Sequence, residues 1–223
     1  MVRIKIVIAD GASIEAGVID LNIENSLYNG GSIAAKNAIN INAGQSVINE
    51  NGAIKSGGLL SINANDIINQ SSVNALAWLN GAGNPTASIT SGNVYLNAAD
   101  NIENTRASIV SNNFLSIIAG KDFLNQSAKS SFAAGQDRYS DLSAIAEVKS
   151  NGNLLISAGR SIQDYAGRIS SAGDMYLTAQ GDISFDAAAL NNARFYGENG
   201  YAVTETTTVN RTSSLETRGN LIV

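Results

Sequence analysis

Residues 33–70 read IAAKNAININAGQSVINENGAIKSGGLLSINANDIINQ, and this stretch contains one apolar pattern twice, about 21 residues apart. The shared template is I-x5-L-x-I-x-A-x3-I-x-N. Further copies follow along the chain, so that the template begins at Ile33, Ile54, Ile89, Ile109, Val148 and Ile169, with a degenerate copy from Ile19 and a cut-off copy from Leu215. A recurrence at this period is typical of a solenoid.

The L-x-I-x-A segment alternates apolar and other positions, which indicates a strand with one buried face. Gly, Asn, Asp and Ser precede it, as a corner of the backbone requires. A second short strand, the I-x-N segment, follows a turn. Since one repeat cannot bury its own apolar face and stacked copies can, the sequence predicts an all-β parallel β-helix. Coils of about 20–21 residues give roughly 10 coils and a length on the order of 50 Å.

The asparagine that closes the template is expected to stack from coil to coil, at Asn29, Asn49, Asn69, Asn104 and Asn125. As a functional feature, such a polar stripe would bind a metal ion or a sugar. As a structural feature, which we favour, each amide would satisfy the turn backbone and the amides above and below it. Asp164 takes the same position in a later coil, which suits a turn cap better than a set of ligands.

Three stretches interrupt the repeat, at 71–88, 127–147 and 186–214, and are expected to be lateral insertions. Solenoids often carry their binding face on such insertions. The candidate receptor contacts are the aromatic residues that the insertions contain, namely Trp78, Phe132, Tyr139, Tyr196 and Tyr201. The competing and commoner role for these aromatic residues is to cover the flank of the solenoid.

Composition excludes several classes of site. The chain has no histidine and no cysteine, which removes His-based catalysis, thiol chemistry and zinc–thiolate sites. Its net charge is -5 and no Lys/Arg cluster occurs, so nucleic acid is not an expected partner. No apolar run approaches the roughly 18 residues of a membrane span, and the opening MVRIKIVIAD reads as a strand rather than a signal peptide. No metal or cofactor is expected.

The acidic residues leave an enzymatic alternative open. Parallel β-helix enzymes that act on polysaccharides cluster Asp and Glu beside basic residues. Here the acids mostly flank turns, and one alignment precedes the second strand of successive coils at Asp66, Asp100 or Asn101, Asp122, Ser161 and Asp182. The second insertion offers a further candidate group at Asp137, Arg138, Asp141 and Glu147. We nevertheless expect a protein without catalytic activity.

Segments such as GGSIAAKNAININAGQSVINENGAIKSGGLLSINANDIINQSS and VKSNGNLLISAGRSIQDYAGRISSAGDMYLTAQGDIS resemble the haemagglutinin repeats of filamentous haemagglutinin-type exoproteins. The tail from ISFDAAALNNARFYGENGYAVTETTTVNRTSS onward resembles that family's passage between repeat blocks. The resemblance implies a right-handed β-helix, a hand that the chirality rule for parallel crossovers also favours.

The resemblance further implies export by two-partner secretion, through an outer-membrane transporter, to the bacterial cell surface or the medium. Members of the family are adhesins or stalks of contact-dependent growth-inhibition toxins. The chain lacks a recognisable secretion domain, a V-E-N-N motif and a toxin domain. We therefore expect 1–223 to be a single β-helix fragment of a longer exoprotein, a structural and adhesive stalk that contacts a host or target-cell receptor or glycan. The alternative within the family is an inert stalk for a toxin.

Overall fold

The computed structural model describes residues 5–72, 86–127, 130–134, 137–141, 145–198 and 201–223, with backbone alone at 130–134, 137–141, 195–198 and 201–202. Among these residues every regular element is a strand. No helix in these ranges is long and apolar enough to cross a membrane.

The first sheet is parallel and consists of eight short strands, one from each coil. In order across the sheet these are β1 (Ile6–Ile8), β3 (Leu27–Asn29), β5 (Ser46–Glu50), β8 (Asp66–Gln70), β10 (Ile102–Thr105), β12 (Phe123–Gln126), β17 (Ile162–Tyr165) and β20 (Ile183–Asp186).

The second sheet has twelve strands and bends at a corner. Its long strands run through the bend, whereas in the other coils the strand is split in two at this point. The strands are β2 (Ser13–Ile23), β4 (Ser32–Ala43), β6 (Ala53–Ser56), β7 (Leu59–Ala64), β9 (Ser88–Ala98), β11 (Ser108–Ala119), β15 (Glu147–Ser150), β16 (Leu154–Ala158), β18 (Arg168–Ser171), β19 (Met175–Ala179), β23 (Ser214–Thr217) and β24 (Leu221–Ile222).

All pairings within these two sheets are parallel. Each template position lies opposite the same position of the repeat in the neighbouring coil. Ile33 lies opposite Ile54, and Leu60 lies opposite Val94. The predicted all-β parallel solenoid is therefore confirmed, while its handedness stays a prediction. The repeat predicts two strands per coil, and that expectation is incomplete. The leading Ile of the template lies in a third short strand, such as β6, so that each coil has three sides.

The core is a column of aliphatic side chains enclosed by these three sides. Each template position contributes one stack, and nearly every member of a stack has no exposed surface. The stacks include Ile33, Ile54, Ile89, Ile109, Val148 and Ile169 on one side, Ile41, Ile62, Leu96, Ile117, Ile156 and Leu177 on the next, and Val47, Ile67, Ile102, Phe123 and Ile162 on the third. Burial of this apolar surface is the main stabilising contribution to the rod.

A third, antiparallel sheet of four strands is built from the second and third insertions, and we call it the lateral sheet. Its strands are β13 (Ser130–Ala134), β14 (Asp137–Asp141), β21 (Ala188–Glu198) and β22 (Tyr201–Arg211). The first two form one hairpin, the last two form another, and the hairpins join where Arg138 of β14 lies opposite Ala193 of β21.

Candidate functional site

The recurring asparagines form a chain of side-chain hydrogen bonds inside the first sheet, which we call the buried ladder. Each amide nitrogen donates to the amide oxygen one coil further on. The distances are 2.7 Å from Asn29 to Asn49, 2.7 Å from Asn49 to Asn69, 2.8 Å from Asn69 to Asn104 and 2.7 Å from Asn104 to Asn125. All members have no exposed surface. A ligand outside the rod therefore cannot contact them, and they act as structural groups.

Each ladder amide also donates to a backbone carbonyl at the adjoining corner, either of its own coil or of the next coil. Asn49 donates to the carbonyl of Gly52 at 2.9 Å, and Asn104 donates to the carbonyl of Ala107 at 2.9 Å. A buried amide with partners for its protons stabilises a structure, whereas an unpartnered one destabilises it. The ladder therefore fixes the corner and the register of stacking together.

Asp164 ends the ladder. Its carboxylate accepts from the amide of Asn125 and from the backbone N–H of Gly167, and it has no proton to pass to the next coil. In the next coil, Phe185 takes the ladder position and is exposed. Desolvation of the buried carboxyl raises the pKa of Asp164, and hydrogen bonds from Asn125 and Gly167 oppose that rise.

The corner that follows the ladder carries all three insertions, and we call it the loop-bearing corner. From β5 onward, successive coils alternate between a tight turn and an insertion. Each tight turn contains a non-glycine residue in the left-handed region, with φ values of 58° at Asn51, 51° at Arg106 and 50° at Ala166. In the alternate coils that have an insertion instead of a tight turn, the chain leaves the rod after Ser71, Ser127 and Asp186. Neighbouring insertions therefore start two coils, or about 10 Å, apart.

Buried serines close the bases of the first two insertions. The hydroxyl of Ser71 accepts the backbone N–H of Ala87 at 2.7 Å, and the hydroxyl of Ser127 accepts that of Ala146 at 2.8 Å. At the third base the hydroxyl of Ser213 donates to the carbonyl of Asp186 at 2.7 Å. The chain thus leaves and re-enters the rod at adjacent points, and the strands on either side keep their register.

The spacing of the insertions explains the lateral sheet. A two-stranded hairpin is about 10 Å wide, which equals the rise of two coils. The hairpins from the second and third insertions consequently meet edge to edge, and β14 pairs with β21. The repeat pattern gives no sign of this pairing, because the paired residues belong to different interruptions of the repeat.

Four of the predicted receptor contacts lie on the lateral sheet, and their side chains lie outside the described part of the structure. Trp78 lies outside the described residues altogether. Phe132 lies opposite Tyr139 in β13–β14, while β21 and β22 carry Tyr196 and Tyr201. Directly opposite residues of an antiparallel sheet share a face, and so do positions two apart on one strand. The register therefore places these four positions on a single face of the lateral sheet.

This face differs between its base and its outer part. Near the rod it includes Leu190, which is only 4% exposed. Val209 of β22, which lies opposite Leu190, is exposed. Further out the face includes Arg194 and Glu205, which are also exposed. This face is therefore open to solvent at Arg194 and Glu205, while the covering role of the aromatic residues stays a prediction.

The aligned turn residues that suggested a carboxylate site form a second set of coil-to-coil contacts. Asp66 accepts the backbone N–H of Asn101 at 3.2 Å, and Asn101 accepts that of Asp122 at 3.3 Å. Asp122 in turn accepts the N–H of Ser161 at 3.2 Å. These side chains cap the turns before the first sheet. Of the aligned positions, Asp100 instead forms an ion pair with Lys121 at 2.9 Å, and Asp182 is exposed.

Asp122 also forms a two-pronged ion pair with Arg160, whose Nε lies 2.7 Å from Oδ1 while Nη2 contacts Oδ2. This hydrogen bonding holds the pKa of the Asp122 carboxyl below its usual value.

In the second candidate group of charged residues, Asp137, Arg138 and Asp141 lie on β14, and their side chains lie outside the described part of the structure. Glu147 starts β15 and lies 3.9 Å from Arg168. Over the described ranges, no three acidic side chains are arranged to hold a metal ion.

Comparison of the chain with protein-family models, with curated proteins and with solved structures finds no match in any of the three.

Proposed function

We propose that this chain is a non-catalytic stalk segment of a haemagglutinin-like exoprotein that reaches the medium or the bacterial surface by two-partner secretion. In this role the rod holds other modules away from the cell, and the insertions contact a receptor or glycan on a host or target cell. The right-handed coil of that family and its outer-membrane transporter belong to the same proposal.

One observation carries the proposal: a rod with a closed core presents its insertions along one corner, and two of them merge into a single sheet. That sheet joins the rod at its base, and its described side chains at Arg194 and at residues 204–211 are exposed, which supports its use as a contact surface. Four aromatic positions share one of its faces by register. Aromatic residues supply much of the energy at protein and sugar interfaces.

The test is a glycan-array and cell-binding screen of the purified chain beside a trimmed variant. In this variant short turns join Ser71 to Ala87 and Ser127 to Ala146, since those bases are already bridged by hydrogen bonds. We expect the intact chain to bind and the trimmed variant, with an unchanged melting temperature and β-sheet circular dichroism, to lose binding. Retained binding by the folded variant would move the adhesive surface onto the rod or onto the third insertion, which this variant keeps.

A further variant distinguishes the contribution of the four aromatic residues to binding from that of the insertions as a whole. Phe132, Tyr139, Tyr196 and Tyr201 are changed to Ala together, and the control changes two exposed aromatic residues of the rod, Tyr95 and Tyr176. Binding lost in the first variant and kept in the control supports the aromatic face as the contact.

Two further outcomes would overturn parts of the proposal. A folded intact chain that binds nothing in the screen would leave an inert stalk, as expected for a toxin carrier. Release of new reducing ends from a panel of polysaccharides would contradict the non-catalytic assignment, and the Asp137–Glu147 region would then be the first place to mutate.

A further inference from the structure

Strand β22 forms the outer edge of the lateral sheet, and within the described part of the chain no strand pairs with its second edge. The strand is 11 residues long, and its register with β21 is unbroken from end to end. Residues 204–211 are exposed. Edges of this length normally carry proline, a bulge or several charges that prevent pairing. From Val203 to Arg211 the sequence is VTETTTVNR, with no proline and two charged residues.

We propose that this edge pairs with the same edge of a second copy of the chain, in an antiparallel arrangement with its two-fold axis at Thr208. The argument is charge complementarity. With Thr208 opposite itself, Glu205 of one copy lies opposite Arg211 of the other, and the symmetry produces this pair twice. Opposite charges in directly paired positions stabilise a sheet, and like charges destabilise it.

Other symmetric registers lack this match. A two-fold axis at Glu205 would place the two glutamates together, and an axis at Arg211 would place the two arginines together. An axis at Thr206, which would overlap the strands over their whole length, would put Glu205 opposite Thr207. The Thr208 register is therefore the one that the charges select.

Beside the base of β22 lies an open crease of about 400 Å³, lined by residues of the rod corner such as Ile145 and Arg168 and by Asn210, Thr212 and Ser214. In the Thr208 register the partner's residues 204 and 203 continue past Arg211, alongside Thr212 and Ser213.

The contact consists of one strand edge, so it falls in the small, transient class of interfaces. We expect a reversible dimer that forms at roughly tens to hundreds of micromolar. Sedimentation equilibrium of the intact chain over that range should show a concentration-dependent dimer. A chain that stays monomeric throughout would overturn the proposal.

A mixing experiment tests the charge pairing. E205R and R211E are each expected to be monomeric, because each places like charges opposite one another. An equimolar mixture should restore a dimer, since the introduced arginine of the first variant then faces the introduced glutamate of the second, and the unchanged Arg211 of the first faces the unchanged Glu205 of the second. Glu216→Arg, which makes the same charge change on an exposed position of the rod, should leave the dimer unchanged. Failure of the mixture to dimerise while the wild type does would overturn the register.

Because the chain has no cysteine, single-cysteine variants give an independent readout. Thr208→Cys should form an intermolecular disulfide readily, since the two Cα atoms face each other. Thr206→Cys, which lies opposite Asn210 of the partner in this register, should not. Equal cross-linking of both variants would contradict the Thr208 axis.

Folding of the charge variants needs its own check, because Glu205 also lies opposite Arg194 within its own sheet. Circular dichroism of E205R should match that of the wild type. The dimer is independent of receptor binding, so failure of either proposal leaves the other standing.

Discussion

Asn125 and Asp164 are 39 residues apart in the sequence, and the amide of the first donates a hydrogen bond to the carboxylate of the second inside the rod. This contact ends a ladder in which every amide points the same way along the stack. Aligned hydrogen bonds polarise one another, and a carboxylate is the strongest acceptor that a side chain can place at the receiving end. The cost is a buried charge.

Replacement of that charge should stabilise the protein. Because burial raises the pKa of Asp164, the native state holds the proton more tightly than the unfolded chain. Stability is therefore lost as pH rises from the unfolded value of about 3.9 through the raised native value. Asp164→Asn can donate to the carbonyl of Gly167, as Asn49 does to that of Gly52. We expect a gain of roughly 1–2 kcal/mol at pH 7, and a smaller gain at pH 4, in urea unfolding.

Asp122 should show the opposite pH dependence. Its bond to Arg160 lowers the pKa of the carboxyl, so the stability it contributes is present above the unfolded pKa and lost as pH falls through the lowered native value. Asp122→Asn should cost about 1 kcal/mol at pH 7, because Arg160 is largely exposed, and the difference from wild type should vanish in acid. As a control, Asp100→Asn removes an exposed pair with Lys121 and should change stability by less than about 0.5 kcal/mol. A gap for Asp122→Asn that does not depend on pH would contradict this assignment.

Truncation of an asparagine in the buried ladder should reduce stability much more than truncation of an asparagine that bonds from coil to coil on the outer face of the rod. Asn69→Ala removes the acceptor of Asn49 and the donor to Asn104 in a site with no exposed surface. We expect a loss of roughly 2–3 kcal/mol in the free energy of unfolding. Asn63, whose amide bonds to Asn42 at 3.0 Å on the outer face, is the matched control. Asn63→Ala should cost less than about 0.5 kcal/mol, and similar losses in both variants would show that burial is not the cause.

The corner beside the ladder should tolerate no added methyl group at Gly167. A Cβ there would lie 2.4 Å from both the amide nitrogen of Asn125 and the Oδ1 of Asp164. Both groups are short side chains fixed by their own bonds, so Gly167→Ala should break the ladder at this point and lower the melting temperature by several degrees, equivalent to about 1–3 kcal/mol. Gly17, where a Cβ would have nothing within 4 Å, provides the control. An unchanged melting temperature for Gly167→Ala would mean that the ladder can shift to make room.

The sequence predicts the parts of this molecule that repeat. Ile62, Ile67 and Asn69 recur at fixed positions because stacking buries the same site in every coil, and periodicity alone is sufficient to find them. The third strand of each coil is harder to predict, since in Ala53–Ser56 only one template residue, Ile54, marks it. Over four residues, the alternation of apolar and polar positions is too short to distinguish a strand from a turn.

The lateral sheet could not be predicted, for a different physical reason. The pairing of Arg138 with Ala193 depends on the height at which each insertion leaves the rod, and that height is set by the number of coils between them. Likewise, the shared face of Phe132, Tyr139, Tyr196 and Tyr201 depends on register across strands that are distant in sequence. Composition shows that these insertions are rich in aromatic residues, but it does not place them together.

The closed bases at Ser71 and Ser127 have a consequence for how such a chain can change over generations. Residues between each serine and its partner can lengthen, shorten or be exchanged while the flanking strands keep their hydrogen bonds. Mutations in these segments therefore leave the folding of the rod unchanged, so selection for folding does not remove them. The sequence at this corner is therefore free to diversify, with the same rod inherited beneath it.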